Sequence, residues 1–256
     1  MPGLRTARAG AGGLRWPGDV LERHLLPTQV EGHLGLRERD GLHRSIFAPA
    51  TPAVRLHEPC DTPGVFPTAE ELAAALEGIR AAPADRGEVR LVVRRPAPGE
   101  RETLTEATLD PVEGLVGDDW IRRGSGSTPD GGPDRRAQVT LMGARVAAAV
   151  AGDPTRWALA GDQLYVDLDL SETNLPAGTR LRVGSAVLEV SAKPHTGCAA
   201  FASRFGTDAL RFVGAPGSRA LRLRGMNATV IERGVVRPGD LVGRIGQDGS
   251  GPRASR

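Results

Sequence analysis

The sequence predicts a mainly β protein, a closed or partly closed β-barrel with a few short helices on its surface. Three observations carry this. Short runs of alternating apolar and polar residues recur from residue 87 onward, separated by Gly, Pro and Asp. Two of these runs are joined by a two-residue Gly184-Ser185 turn. Aromatic residues make up only 4% of the 256, so Val, Leu and Ala must fill most of a core drawn from the 39% apolar fraction.

The first clear element is a helix. Thr68 stands as its N-cap, and Glu70 and Glu71 fall in the first turn, where the positive end of the helix dipole favours acids. Leu72, Ala75, Leu76 and Ile79 form one apolar face, and Pro83 stops the run. Strands are then predicted over residues 88–93, 138–142 and 163–168, with short helices at 144–151 and 201–205. The strongest hairpin pairs 179–183 with 186–190, and Gly184 at the first turn position predicts a type II′ turn. A strand at 227–231 leads through Arg237-Pro238-Gly239-Asp240 to a last strand at 241–245.

This pattern divides the chain into four parts. Residues 1–60 are expected to be poorly ordered: 1–16 are rich in Gly, Ala and Arg, and 17–59 hold four of the five histidines among frequent prolines and glycines. No sustained periodicity there offers enough apolar burial to offset chain entropy. Residues 61–86 form a helical lead-in, 87–246 the barrel domain and 247–256 a polar, flexible tail.

Composition excludes several classes. The 33 basic and 31 acidic residues give a formal charge of +2 and are spread along the chain, so nucleic-acid binding gains no support. No run approaches the ~20 apolar residues of a membrane span, and no apolar segment follows the N-terminal arginines as in an export signal, so a cytoplasmic protein without membrane association is expected. Cys60 and Cys198 are the only cysteines, too few for a disulfide framework, an iron–sulfur cluster or a four-cysteine zinc site. Lys193 is the only lysine in an arginine-rich chain.

The stretch Lys193-Pro194-His195-Thr196-Gly197-Cys198 is the main candidate site. It follows directly on a predicted strand and places a thiol three residues after an imidazole in a Gly/Pro-bounded loop. A packing cysteine normally sits inside an apolar run, so reactivity is the better reading of Cys198. Cys60, between Pro59 and Asp61 outside the patterned domain, is read as incidental. His195 has two readings, proton transfer or thiolate stabilisation on one side and a loop-ordering hydrogen bond on the other. His195 and Cys198 supply two of the four ligands zinc needs, and no others lie nearby.

Further motifs fall in order around this loop. They are Glu113-Gly114-Leu115-Val116-Gly117-Asp118, the run from Gly161 through Leu170, Asn174-Leu175-Pro176-Ala177-Gly178-Thr179, Gly225-Met226-Asn227-Ala228 and Pro238-Gly239-Asp240. With a single loop cysteine, this series resembles the MOSC domain, named for the C-terminal part of molybdenum-cofactor sulfurases, over residues 87–246. The resemblance implies a MOSC-type β-barrel with Cys198 as the functional cysteine. In some members that cysteine carries sulfur as a persulfide; in others, which reduce N-hydroxylated compounds, it is a thiolate ligand of molybdenum in the pterin cofactor.

The implied cofactor is therefore molybdopterin, with Cys198 as the metal ligand and no zinc, flavin or iron–sulfur cluster. No desulfurase domain binding pyridoxal phosphate is visible, nor a family-type N-terminal β domain in residues 1–86. A cysteine desulfurase or an external electron-transfer protein is thus the expected partner, beside a small-molecule ligand. Catalytic roles fall to Cys198 and His195. Lys193, Arg204, Arg222, Arg224 and Asn227 are the candidates for binding the phosphate and polar pterin. Asp118 and Asp162, each after a glycine, are assigned to turn hydrogen bonds, and Asp167 and Asp169 to a solvated strand face. A non-catalytic module for a pterin or small anion and a thiol-based oxidant sensor remain as alternatives.

Overall fold

Side chains that alternate at period two point to opposite faces of a strand, and here that alternation separates two cores. The structure, a computed structural model, describes residues 54–56 and 66–246. Of the regions read above, Cys60, the tail from 247 and all of 1–60 except 54–56 lie outside the described residues.

In chain order the elements are β1 (Val54–Leu56), α1 (Ala69–Arg80), β2 (Arg86–Arg94), β3 (Arg101–Leu104), β4 (Ala107–Asp110), β5 (Gly114–Leu115), α2 (Trp120–Arg123), β6 (Val139–Gly143), α3 (Ala144–Ala151), β7 (Leu164–Asp167), β8 (Arg180–Val183), β9 (Ala186–Val190), α4 (Ala199–Gly214), α5 (Pro216–Arg219), β10 (Met226–Glu232), β11 (Gly234–Val236) and β12 (Leu241–Arg244). Short 3₁₀ turns occupy Arg135–Ala137 and Pro154–Ala160.

Seven strands close a barrel in the order β2-β12-β8-β9-β10-β6-β7, with β7 pairing back onto β2. All of these contacts are antiparallel except β6 with β7. A parallel pair needs a long crossover, and α3 with the Pro154–Ala160 turn supplies it. Closure removes the free edges that an open sheet would present. β1 and β3 extend the sheet beside β2, and β11, β4 and β5 form a small separate sheet.

Leu141, Leu164, Val166, Leu181, Leu188, Val230 and Val242 point into the barrel. On the opposite face of the same strands, Met142 and Tyr165 join Leu72 of α1, Val146 of α3 and Phe201 and Phe205 of α4 in a second core outside it. β6 and β7 are therefore buried on both faces. The Tyr165 hydroxyl donates to the Trp157 carbonyl at 2.7 Å, which satisfies the phenol in that core.

The sequence expectations for the fold hold, with two extensions. Thr68 caps α1 reciprocally: its Oγ1 accepts the Glu71 N–H at 3.3 Å while the Glu71 carboxylate accepts the Thr68 N–H at 2.8 Å. Gly184 has φ +57° and Ser185 keeps a negative φ, as a type II′ turn requires. The helix expected at 201–205 is the start of the 16-residue α4, which continues past a kink at Gly206 (φ +89°) because Phe201, Phe205, Ala209 and Val213 stay on one buried side. Strands β3, β4, β5 and β11 have two to four residues each, too short for alternation to mark them.

Candidate functional site

β9 delivers the chain into residues 191–198, and β10 runs antiparallel beside it. The Ser191 N–H donates to the Asn227 carbonyl at 2.9 Å, and the Asn227 side-chain amide donates to the carbonyls of Lys193 and Pro194 at 3.1 and 3.2 Å. Asn227 is buried beneath the loop and holds its backbone in place. β10 itself starts at a fixed distance from β6 because Gly225 (φ +99°) leaves no room for a side chain: a Cβ there would lie 2.2 Å from the Leu141 carbonyl oxygen.

Cys198 ends the loop as the N-cap residue of α4. Its carbonyl accepts the N–H groups of Phe201 and Ala202 at 3.0 and 3.2 Å, but its thiol makes no capping bond and is exposed. The helix terminus favours negative charge at this position.

Beside it lies a cleft of about 860 Å³. One wall is the loop from Ser191 to Gly197, and the other is formed by Leu210 and Val213 of α4, Arg219 of α5 and the segment 222–226. Lys193, His195, Arg222 and Arg224 all reach the cleft, and Cys198 is the next residue after its loop wall. Arg204 does not line it. Its guanidinium donates to the Leu159 carbonyl at 3.0 Å, on the far side of the helix layer, because six residues along a helix do not return a side chain to the same face.

The cations predicted to meet a ligand are already engaged by the protein. Lys193 Nζ donates to Asp134 Oδ2 and to Ser127 Oγ, both at 2.8 Å. Hydrogen bonds from Arg136 and Lys193 hold the Asp134 carboxyl well below the usual carboxylate range. Arg222, one residue with a left-handed backbone (φ +49°), donates to the carbonyls of Leu170 and Leu175 at 3.3 and 2.6 Å. Burial lowers its pKa. Arg224 donates to Asp162 Oδ2 at 2.7 Å and to the Ala160 carbonyl at 2.9 Å, with its guanidinium 5.0 Å above the Phe201 ring. Of the cations along the cleft, Arg219 is the one whose guanidinium has no hydrogen bond or ion pair among the described residues, while its carbonyl accepts the Arg222 N–H at 3.0 Å. Lys193 and Arg224 thus shape the cleft more than they offer free charge to it.

Asp162 has a structural place, as expected of it, but with distant partners. It makes no local turn bond. Its side chain is fully buried, with Oδ1 2.8 Å from His195 Nε2 and Oδ2 on Arg224. Burial pushes its carboxyl up, and the charges of Arg224 and His195 more than offset this, leaving a pKa of about 2. The partners lie 33 and 62 residues away, so no local spacing announces them. The only available signal was a Gly-Asp pair at the entry to a strand. Asp118 does serve structure: it accepts from Arg95 and from the Trp120 N–H. Asp167 and Asp169 are not a solvated face. Asp167 pairs with Arg145 at 2.7 Å, and Asp169 accepts the Ser171 N–H at 2.9 Å, because α3 and the chain after β7 fold back over them.

Among the described residues no helix is long and apolar enough to cross a membrane, and no three His, Cys, Asp or Glu side chains gather as a metal donor set. No curated protein matches the chain. Among solved structures, the YUAD protein from Bacillus subtilis is similar at 15% identity, covering 61% of this chain and 94% of that one with a TM-score of 0.46. YiiM from Escherichia coli is similar at 19% identity over 62% of this chain and 70% of its own, TM-score 0.41. YiiM from Geobacillus stearothermophilus gives 12%, 63%, 74% and 0.40. The family model of the MOSC domain matches residues 137–243, the stretch that holds β6 onward, the Cys198 loop, Asp162 and Arg224. Over residues 137–243 this chain is similar to the MOSC domain.

Proposed function

We propose that this protein binds a molybdenum–pterin cofactor in the cleft beside α4, with the Cys198 thiolate as the metal's protein ligand. The function would be reduction of N-hydroxylated compounds or sulfuration of the cofactor. The observation that carries this reading is an exposed, uncapped thiol at a helix N-terminus, adjoining a cleft of about 860 Å³ in a stretch similar to the MOSC domain. A cleft of that volume suits a small organic ligand.

The donor set fits such a group. A soft metal prefers thiolate, and Cys198 stands without a second His, Cys, Asp or Glu cluster among the described residues, so a metal held here takes its other ligands from a cofactor. When bound, molybdenum supplies the redox or sulfur-transfer chemistry. The chain's own part is to present the thiol, to hold the loop through Asn227 and Lys193, to offer Arg219 to an anionic group, and to move a proton through His195. Delivery of electrons or sulfur falls to a separate protein, an electron-transfer partner or a cysteine desulfurase.

Metal analysis of protein purified from a cofactor-competent host tests this. Molybdenum should be present in wild type and lost in Cys198→Ser; its absence from both sinks the metal-ligand reading. The same exposed thiol also favours a second reading, persulfide carriage. Intact mass after incubation with a cysteine desulfurase should then show one added sulfur at Cys198 that reduction removes.

A further inference from the structure

A buried carboxylate that bridges a fixed cation and the cleft's imidazole has a consequence for where that imidazole keeps its proton. The side chain of Asp162 has no solvent exposure, while that of His195 retains 18%. Each carboxylate oxygen has its own partner: Arg224 Nη1 at 2.7 Å on Oδ2, His195 Nε2 at 2.8 Å on Oδ1. The Arg224 guanidinium is locked in turn by the Ala160 carbonyl and the Phe201 ring. The backbone under Asp162 is fixed as well, because Arg95 Nη1 donates to the Gly161 carbonyl at 3.0 Å and Gly161 adopts φ +90°.

An ionised carboxylate accepts hydrogen bonds and donates none. The Asp162 carboxyl, with a pKa of about 2, is ionised at any physiological pH. Nε2 must therefore carry a hydrogen, and in the neutral ring the lone pair resides on Nδ1. No partner for Nδ1 occurs among the described residues, and the ring lines the cleft.

We propose that Asp162 is a positioning residue that fixes His195 as the Nε2–H tautomer and leaves Nδ1 as the proton acceptor of the cleft. A group bound there gives its proton to Nδ1. The ring becomes an imidazolium whose charge faces Asp162, and the proton returns by the same path, so the step needs no oxidant or reductant. The catalytic role of Nδ1 rests on reading the Cys198 cleft as the reactive site; the tautomer does not.

The test is nitrogen NMR of the full chain labelled in histidine, recorded at about pH 8, above the ordinary imidazole range. His195 signals are assigned by their loss in His195→Asn. Wild type should show Nε2 protonated and Nδ1 bare. In Asp162→Asn the amide oxygen must face Arg224, which can only donate, so the amide NH₂ faces Nε2 and drives the proton to Nδ1. The two nitrogen signals should exchange character. A wild-type ring protonated on Nδ1, or an Asp162→Asn ring unchanged from wild type, overturns the proposal. If Asp162→Asn fails to fold, the wild-type spectrum alone still decides it. An Nε2–H ring in a protein that takes up neither molybdenum nor sulfur would instead overturn the proposed function and leave the positioning role standing.

Discussion

Asp118 and Asp162 look alike in the chain and behave differently in the fold. Each follows a glycine with positive φ, at +81° and +90°, and each is buried against an arginine. Asp118 is saturated: its two oxygens accept four hydrogen bonds, three from Arg95 and one from the Trp120 N–H. Nothing it touches reaches the cleft. Asp162 divides its oxygens between Arg224 and an imidazole that lines the cleft. A carboxylate closed off by fixed donors locks local structure. One that keeps a titratable, partly exposed partner can act through it.

The sharpest way to break this comparison is to remove the saturated partner. Asp118→Ala leaves Arg95 buried without its counter-charge and should cost about 3–5 kcal/mol in urea unfolding. A cost under about 1 kcal/mol would mean that the pair does not lock the structure in the way its burial implies.

Acid titration gives a smaller effect with a defined sign. The folded pKa of Asp162, about 2, lies below the ordinary aspartate value of 3.8. A depressed carboxyl contributes stability that is fully present above the unfolded pKa and is lost as pH falls through the folded one. On this count Asp162 contributes about 2 kcal/mol above roughly pH 4, lost on the way down to about pH 2. Urea midpoints across that window should fall more steeply in wild type than in Asp162→Asn, and parallel curves would contradict the assignment.

The smallest effect is expected at Lys193. Its side chain is partly exposed, so Lys193→Met should change stability by less than about 1 kcal/mol. It should nonetheless speed amide hydrogen exchange in residues 124–134, because Asp134 and Ser127 lose the link that ties that segment to the Cys198 loop. Unchanged exchange there would show that the lysine does not hold the segment.

Much of the fold was legible because its signals are local. Thr68 with Glu71, the Gly184-Ser185 turn and the alternation of β8, β9 and β10 are set by neighbouring residues, and the structure keeps all of them. Cys198 was legible too, since a thiol in a Gly/Pro loop stands apart from any packing pattern. The sole lysine also stood out, and its bond to Asp134 gives it a place no sequence spacing suggested.

The sequence by itself determined the β class, the capped helix, the hairpin and the loop position of Cys198, because propensity, capping and turn chemistry act over a few residues. Tertiary structure alone decided that β7 returns to β2 and closes the barrel, that Arg204 faces away from the cleft, and that Asp162 joins Arg224 to His195. Those contacts span tens of residues, and a charge's role depends on which buried partner the closed barrel brings to it.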